Sequence, residues 1–292
     1  MQPKRLHPEC LQCLTGKQLP DFLEHQPLEK QISYIQRLLK LLSEVPDTYA
    51  GPVIMNDVHK LRKEMFGYSQ DFTEIKRYFN ALMMQRADEA AQDILSAPDP
   101  PLRAVQYSLI GNYIDFGSHH SVKEDELDEL FEKAQSMELN ASAYSRFEHD
   151  VRTCRKILLL TDNCGEIVLD KLLVQTIQTL NPSAELTVMV RGENVQNDAT
   201  LEDARQVGMT EIVHVIGNGN GIAGTWEPAL SAEAADVLEH ADMIIAKGQA
   251  NFETLCQCGK NVHYLFLCKC LMFARRFGVP RLTAMIVHDS EC

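Results

Sequence analysis

Apolar positions in the first half of the chain recur at helical spacing. From Asp21 to Leu42, the residues Phe22, Leu28, Ile32, Ile35, Leu38, Leu39 and Leu42 fall near a 3.6-residue period and predict one amphipathic helix. Pro52–Met65 predicts a second, with proline in its first turn. Asp71 followed by Glu74 has the pattern of an N-cap and capping box. It opens a helical stretch through Leu95, closed by Pro98, Pro100 and Pro101. Further helices are predicted over Leu102–Asp115, Lys123–Met137 and Ala143–Asp150, and no strand pattern occurs before residue 155.

The second half changes period. Short apolar runs at Lys156–Leu160, Leu186–Val190, Ile212–Ile216, Met243–Ala246 and Val262–Leu267, and a last one ending at Val287, alternate with helical segments. Short strands alternating with helices predict a mostly parallel sheet covered on both faces. The expected fold class is α/β, a three-layer α/β/α Rossmann-like domain over residues 151–292, carrying an all-helical N-terminal region over 1–150.

Ligands of open α/β sheets bind beyond the carboxyl ends of the strands, so the residues after each run carry the candidate chemistry. These are Thr161-Asp162-Asn163-Cys164-Gly165-Glu166, then Arg191 to Asp198, then the glycine-rich Gly217 to Thr225, then Lys247-Gly248-Gln249-Ala250-Asn251, and Cys268-Lys269-Cys270. Asp162, Asn163 and Asp198 form the best metal set, because carboxylate and amide oxygens suit Mg²⁺ or Mn²⁺ rather than zinc. Asp162 and Asn163 would also serve as N-caps of the helix starting near Gly165, and Asp198 as a cap of the helix after Thr200. Gly219-x-Gly221-x-x-Gly224 has the spelling of a dinucleotide fingerprint, but it follows the third strand and opens no immediate helix.

Composition narrows the reading. The 292 residues carry 41 acidic and 28 basic side chains, a net charge of −13, which argues against phosphate-neutralising nucleic-acid binding. No apolar run approaches the ~18 residues of a membrane span, and the first residues lack a signal-peptide pattern. Nine cysteines without a secretion signal predict reduced thiols and a cytoplasmic location. His7-x-x-Cys10-x-x-Cys13 is a candidate metal or redox element lacking a second ligand pair nearby.

Leu160-Thr-Asp162-Asn163-x-Gly165-Glu166-x-x-x-Asp170, together with Asn197-Asp198-x-Thr200 and Lys247-Gly248-Gln249-x-Asn251-Phe252-Glu253, resembles the metal-dependent damage-control phosphatases. That family was formerly a domain of unknown function, and some of its members have been described as acidic-residue methyltransferases. The resemblance extends to Gly111-Asn112-x-x-Asp115-Phe116-Gly117 and to Cys10-x-x-Cys13, which is similar to the microbial branch. It implies a helical region of two subdomains, with 20–97 inserted. It implies one divalent metal, Mn²⁺ or Mg²⁺ with Co²⁺ or Ni²⁺ as further options, at Asp162, Asn163 and Asp198. It implies hydrolysis of small phosphomonoesters such as sugar phosphates or damaged phosphorylated metabolites.

In that reading Lys247 takes a phosphoryl oxygen, joined by Lys269 and by backbone N–H groups of Gly248 and Gly165. Glu166, Asn112, Asp115 and Asn251 match the family's polar site residues. The attacking group is water in the preferred reading and Asp162 itself in the other. Two alternative functions stand beside it: a Rossmann-like methyltransferase or nucleotide-binding protein, and a thiol-rich metal or redox module. The expected partner is a small phosphorylated metabolite, with no nucleic acid and no membrane. Nothing in the sequence fixes an oligomeric state.

Overall fold

A computed structural model describes residues 6–17, 21–67, 71–113 and 124–292. The chain forms two compact units, Met1–Asp71 and Phe72–Cys292.

The first unit is helical: α1 (Pro8–Lys17), α2 (Asp21–Glu24), α3 (Leu28–Ser43) and α4 (Gly51–Phe66). The single helix expected from Asp21 to Leu42 is two, because Pro27 takes the N-cap position of α3, where a residue without an N–H costs nothing. Tyr34, Leu38 and Leu42 of α3 pack with Ile54, Val58 and Leu61 of α4, whereas Leu28, Ile32 and Leu39 are exposed. Pro52 lies in the first turn of α4, and Gly67, at φ 65°, ends the helix in the left-handed region.

The second unit contains α5 (Thr73–Met84), α6 (Ala87–Ser96), α7 (Pro100–Gly111), α8 (Glu124–Ser136) and α9 (Ala141–Thr153). The long helix expected to Leu95 breaks at Gln85-Arg86, and α5 starts with Phe72, not Asp71, at its N-cap. There follow β1 (Lys156–Leu160), α10 (Glu166–Leu180), β2 (Glu185–Val190), α11 (Leu201–Gln206), β3 (His214–Gly217), α12 (Ala232–His240) and β4 (Met243–Lys247). The chain then runs through α13 (Gly248–Leu255), β5 (Val262–Leu267), α14 (Leu271–Phe277) and β6 (Ala284–His288). The helices of residues 72–153 share this unit with the sheet because α7 is buried from Ala104 to Gly111 and packs along α10.

The sheet order is β3-β2-β1-β4-β5-β6, parallel throughout except that β6 runs antiparallel to β5. Side chains alternate between two cores, as the period of a strand demands. Ile157, Leu159, Val188, Val190, Ile245 and Leu265 join the core containing α7 and α10. Leu158, Leu160, Met189, Ile244, Ala246, Tyr264 and Phe266 join the core containing α12, α13 and α14. The chain leaves β1 in one direction along the sheet and returns to β4 on its other side, so β1 and β4 flank the switch point at which sheets of this kind form a crevice. That crevice is the binding position of doubly wound folds. Among the described residues no helix is long and apolar enough to cross a membrane.

Candidate active site

Beyond β1 the chain turns through 161–165 before α10 starts at Glu166. Gly165, at φ 73°, holds the N-cap position without side-chain capping, so Asp162 and Asn163 do not serve as caps. Beyond β2 the chain loops back through 191–200. Ala199 N donates to Asp162 O (2.8 Å) and Cys164 N to Asn197 O (2.8 Å), and an antiparallel bridge links Asn163 with Asp198. Two loops far apart in sequence are thus zipped together with all three candidate ligands on them. Asp198 does not cap α11 either. Thr200 does, its N–H and hydroxyl both donating to Asp203 (2.8 and 2.7 Å).

Glu166 is the hub beneath these ligands and is fully buried. Its Oε2 accepts from Asn112 Nδ2 and Asn163 Nδ2, both at 3.0 Å, and its Oε1 accepts from Lys247 Nζ at 2.6 Å. Asp162 Oδ2 accepts from the same two amides, each at 2.8 Å. The Asn163 amide nitrogen is therefore turned inward to the carboxylates, which leaves its oxygen as the remaining ligand atom. Asn112 ends α7, where Gly111 allows the helix to touch α10: a Cβ at Gly111 would lie 2.9 Å from Glu166 Cγ. Asn112 Oδ1 is a buried acceptor with no partner. Asp115 lies outside the described residues.

Lys247 differs from expectation. It follows Ala246 on β4, and strand alternation turns it toward α7 and α10 rather than out of the crevice. Its ammonium donates to Ser108 O (2.8 Å), Glu166 Oε1 (2.6 Å) and Asp170 Oδ1 (2.6 Å), which occupies its three N–H bonds. Burial alone would lower its pKa, but Asp170 and Glu166 outweigh that and hold it above the usual lysine range. Lys247 neutralises carboxylates and has no donor left for a phosphoryl oxygen. Asn251 is likewise spent within the protein: its Nδ2 donates to Lys247 O (2.7 Å) and Thr161 O (3.1 Å), and its Oδ1 accepts from Thr225 (2.8 Å). Gly165 N–H donates to Asn80 Oδ1 (2.6 Å), so it too is withdrawn from anion binding. Lys269 lies half-buried on the rim, and its charge acts on Asp162.

The electrostatics follow from crowding acids. Burial, then Glu166, then Asp198 push the Asp162 carboxyl up to about 8, with Lys269 and Arg191 pulling back. Burial also raises Asp198, against the pull of Arg191. Burial pushes Asp170 up to about 6 despite Lys247. Asp162 is met by two neutral amides and Asp198 by Arg191, and both are oxygen donors beside an amide oxygen, a set that fits one hard divalent cation. Among the described residues no group of three or more His, Cys, Asp or Glu has metal-binding geometry, so the candidate centre consists of two carboxylates and an amide. Cys10 and Cys13 form no disulfide, and neither do the other seven cysteines.

Three contributors carry no signal of their own in the sequence. Asn80, buried on α5, bonds Gly165 through its oxygen and Asp203 Oδ1 (2.9 Å) through its nitrogen. Lys76, one turn earlier, bonds Asp203 Oδ2 (2.7 Å) and Asn194 Oδ1 (3.2 Å). Arg191, fully buried, donates to Asp198 Oδ2 (2.6 Å) and Thr161 O (3.1 Å). Their partners are remote in sequence or in irregular loops, where periodicity is silent.

An acid cluster with basic neighbours thus lies where a doubly wound sheet splits, the position at which such folds bind ligands. The family model for the damage-control phosphatase ARMT1-like domain matches residues 6–285, and the chain belongs to that family. It is 31% identical over 282 residues to a damage-control phosphatase of Archaeoglobus fulgidus, covering 94% of this chain and 96% of that protein. It is 30% identical over 282 residues to one of Pyrococcus horikoshii, covering 94% of each. The crystal structure of a DUF89 family protein from Pyrococcus horikoshii is similar at a TM-score of 0.79 and 27% identity, covering 97% of this chain and 99% of that one. The protein is accordingly a phosphatase.

Gly248 supplies a direct test of the crevice. At φ 77° it sits where a Cβ would lie 1.9 Å from Asp162 Oδ2. Gly248→Ala is expected to push that carboxylate aside and cut turnover by about 100-fold, the scale of a ~1 Å misplacement. Calorimetric Mn²⁺ titration should show the binding isotherm weakened in parallel. An unchanged isotherm would mean that Asp162 is not a ligand.

Proposed function

We propose that this phosphatase hydrolyses small phosphomonoesters, sugar phosphates or damaged phosphorylated metabolites, with one divalent ion held by Asp162, Asn163 and Asp198. Mn²⁺ or Mg²⁺ suits that oxygen set, and Co²⁺ or Ni²⁺ is an acceptable substitute. The observation that carries the reading is the pairing of the 162–164 and 197–199 segments, which brings the three donors together. When bound, the ion supplies Lewis-acid polarisation of a phosphoryl oxygen. The protein's own residues supply position and charge, which is most of what phosphoryl transfer asks. Lys269, on the rim, neutralises the incoming phosphate. Glu166 holds the Asn163 and Asn112 amides, and Lys247 with Asp170 holds Glu166. Asn112 Oδ1, buried and unsatisfied, is an acceptor for a substrate hydroxyl. The attacking group is water. The enzyme works in the cytoplasm, and a net charge of −13 favours metabolites over nucleic acid as its substrates.

The test is a phosphomonoester panel with Mg²⁺, Mn²⁺, Co²⁺ and Ni²⁺, run with chelated enzyme and an Asp198→Ala variant. Turnover should require metal and fall by roughly 100-fold or more in the variant. Full activity in either control removes the metal-site assignment.

A further inference from the structure

The guanidinium of Arg191 joins the two loops at the base of the crevice. It is fully buried, and Nε donates to Asp198 Oδ2 at 2.6 Å while Nη2 donates to Thr161 O at 3.1 Å. Thr161 is the residue before Asp162, and its carbonyl also takes the Asn251 amide at 3.1 Å. Arg191 N donates to Ala199 O at 2.9 Å, so main chain and side chain together grip both sides of Asp198. The third nitrogen, Nη1, is buried without a partner.

Stability does not account for this arrangement. A buried ion pair is weak ground for stability, since well-packed apolar side chains often do as well, and an unsatisfied buried donor counts against it. A rigid planar fork that fixes one carboxylate oxygen and one neighbouring carbonyl does serve geometry. With Oδ2 of Asp198 occupied, Oδ1 is the oxygen left for ligation, and the carbonyl before Asp162 is held by the same guanidinium. We infer that Arg191 is a positioning residue that sets the separation and orientation of Asp162 and Asp198 for the divalent ion. This rests on the metal-site reading above. Arg191 touches neither substrate nor ion. It acts as the outer-shell partners of metal ligands do, by orienting them.

The test is Arg191→Lys, which keeps the cation but offers one nitrogen in place of the fork. Mn²⁺ dissociation constants, measured by the electron paramagnetic signal of the free ion, should weaken by roughly 10–100-fold. Turnover should recover at saturating Mn²⁺, with KM for the phosphomonoester unchanged. A lower melting temperature with an unaltered Mn²⁺ constant would assign Arg191 a merely structural role and overturn the inference. If the wild type itself binds no Mn²⁺, the metal-site reading falls and takes the inference with it. If the wild type binds Mn²⁺ and the variant matches its affinity, the inference alone falls. Should the variant fail to fold, the wild type decides: saturating Mg²⁺ should displace the ¹⁵N–¹H resonance of Arg191 Nε, and an unmoved resonance overturns the proposal.

Discussion

Asp162→Asn is expected to make the metal-free protein more stable at pH 8 while lowering its turnover by roughly 100-fold or more. The Asp162 carboxyl is pushed up to about 8 by burial, Glu166 and Asp198, whereas in the unfolded chain it titrates near ~3.9. Between those two values the folded protein holds a proton that the unfolded chain has lost. Stability therefore declines as pH rises from ~4 toward 8, and levels off above that. Asparagine mimics the neutral acid and removes this carboxyl's share of the decline, leaving that of Asp170 and Asp198. The gain should be several degrees of melting temperature at pH 8 and absent near pH 4. The same proton competes with the cation, so Mn²⁺ affinity of the wild type should rise through this interval with proton release. Thermal scans at pH 4, 6 and 8 with and without Mn²⁺ check both parts. A variant that melts like wild type at pH 8, or still turns over with Mn²⁺, would remove Asp162 from the centre.

Lys247→Met should have the largest effect on stability. It leaves Glu166 and Asp170, both fully buried, with no opposing charge. Removing one partner of such a cluster costs on the order of 3–5 kcal/mol, about 10 °C of melting temperature. Adding Asp170→Asn should restore part of the loss, because the two sites are coupled through one ammonium. A lysine that bound phosphate would instead show a raised KM at unchanged stability, so a urea melt of Lys247→Met beside its KM separates the roles.

Much of the fold is legible in the sequence because the apolar periods are clean. β1 and β5 occupy the predicted residues, and the change of period near residue 155 is where the sheet begins. Helix boundaries depart from the pattern where a local signal is outvoted. Pro27 breaks a run of apolar positions that suggests one continuous helix, and Phe72 displaces Asp71 at a cap. The loops proposed to hold the ion stand out because acids and amides gather after the strand runs, where ligands of open sheets bind. The inner support does not. Lys247 and Asn251 look like rim residues in one dimension, yet alternation along β4 and the first turn of α13 turn both inward. The neighbour that settles the side of Lys247 is Ala246, which belongs to the opposite core, and only the folded sheet reveals which core that is.

The contacts of α5 have a consequence for biosynthesis. Asn80 meets Gly165 across 85 residues, and Lys76 meets Asn194 across 118. Closing loops of that size is entropically costly and slow, so such pairings form after the local helices. A ribosome must therefore release the segment beyond β2 before Lys76 finds its mate. Until then the loops that carry Asp162 and Asp198 lack the bonds α5 gives them, and a nascent chain holds them unbraced.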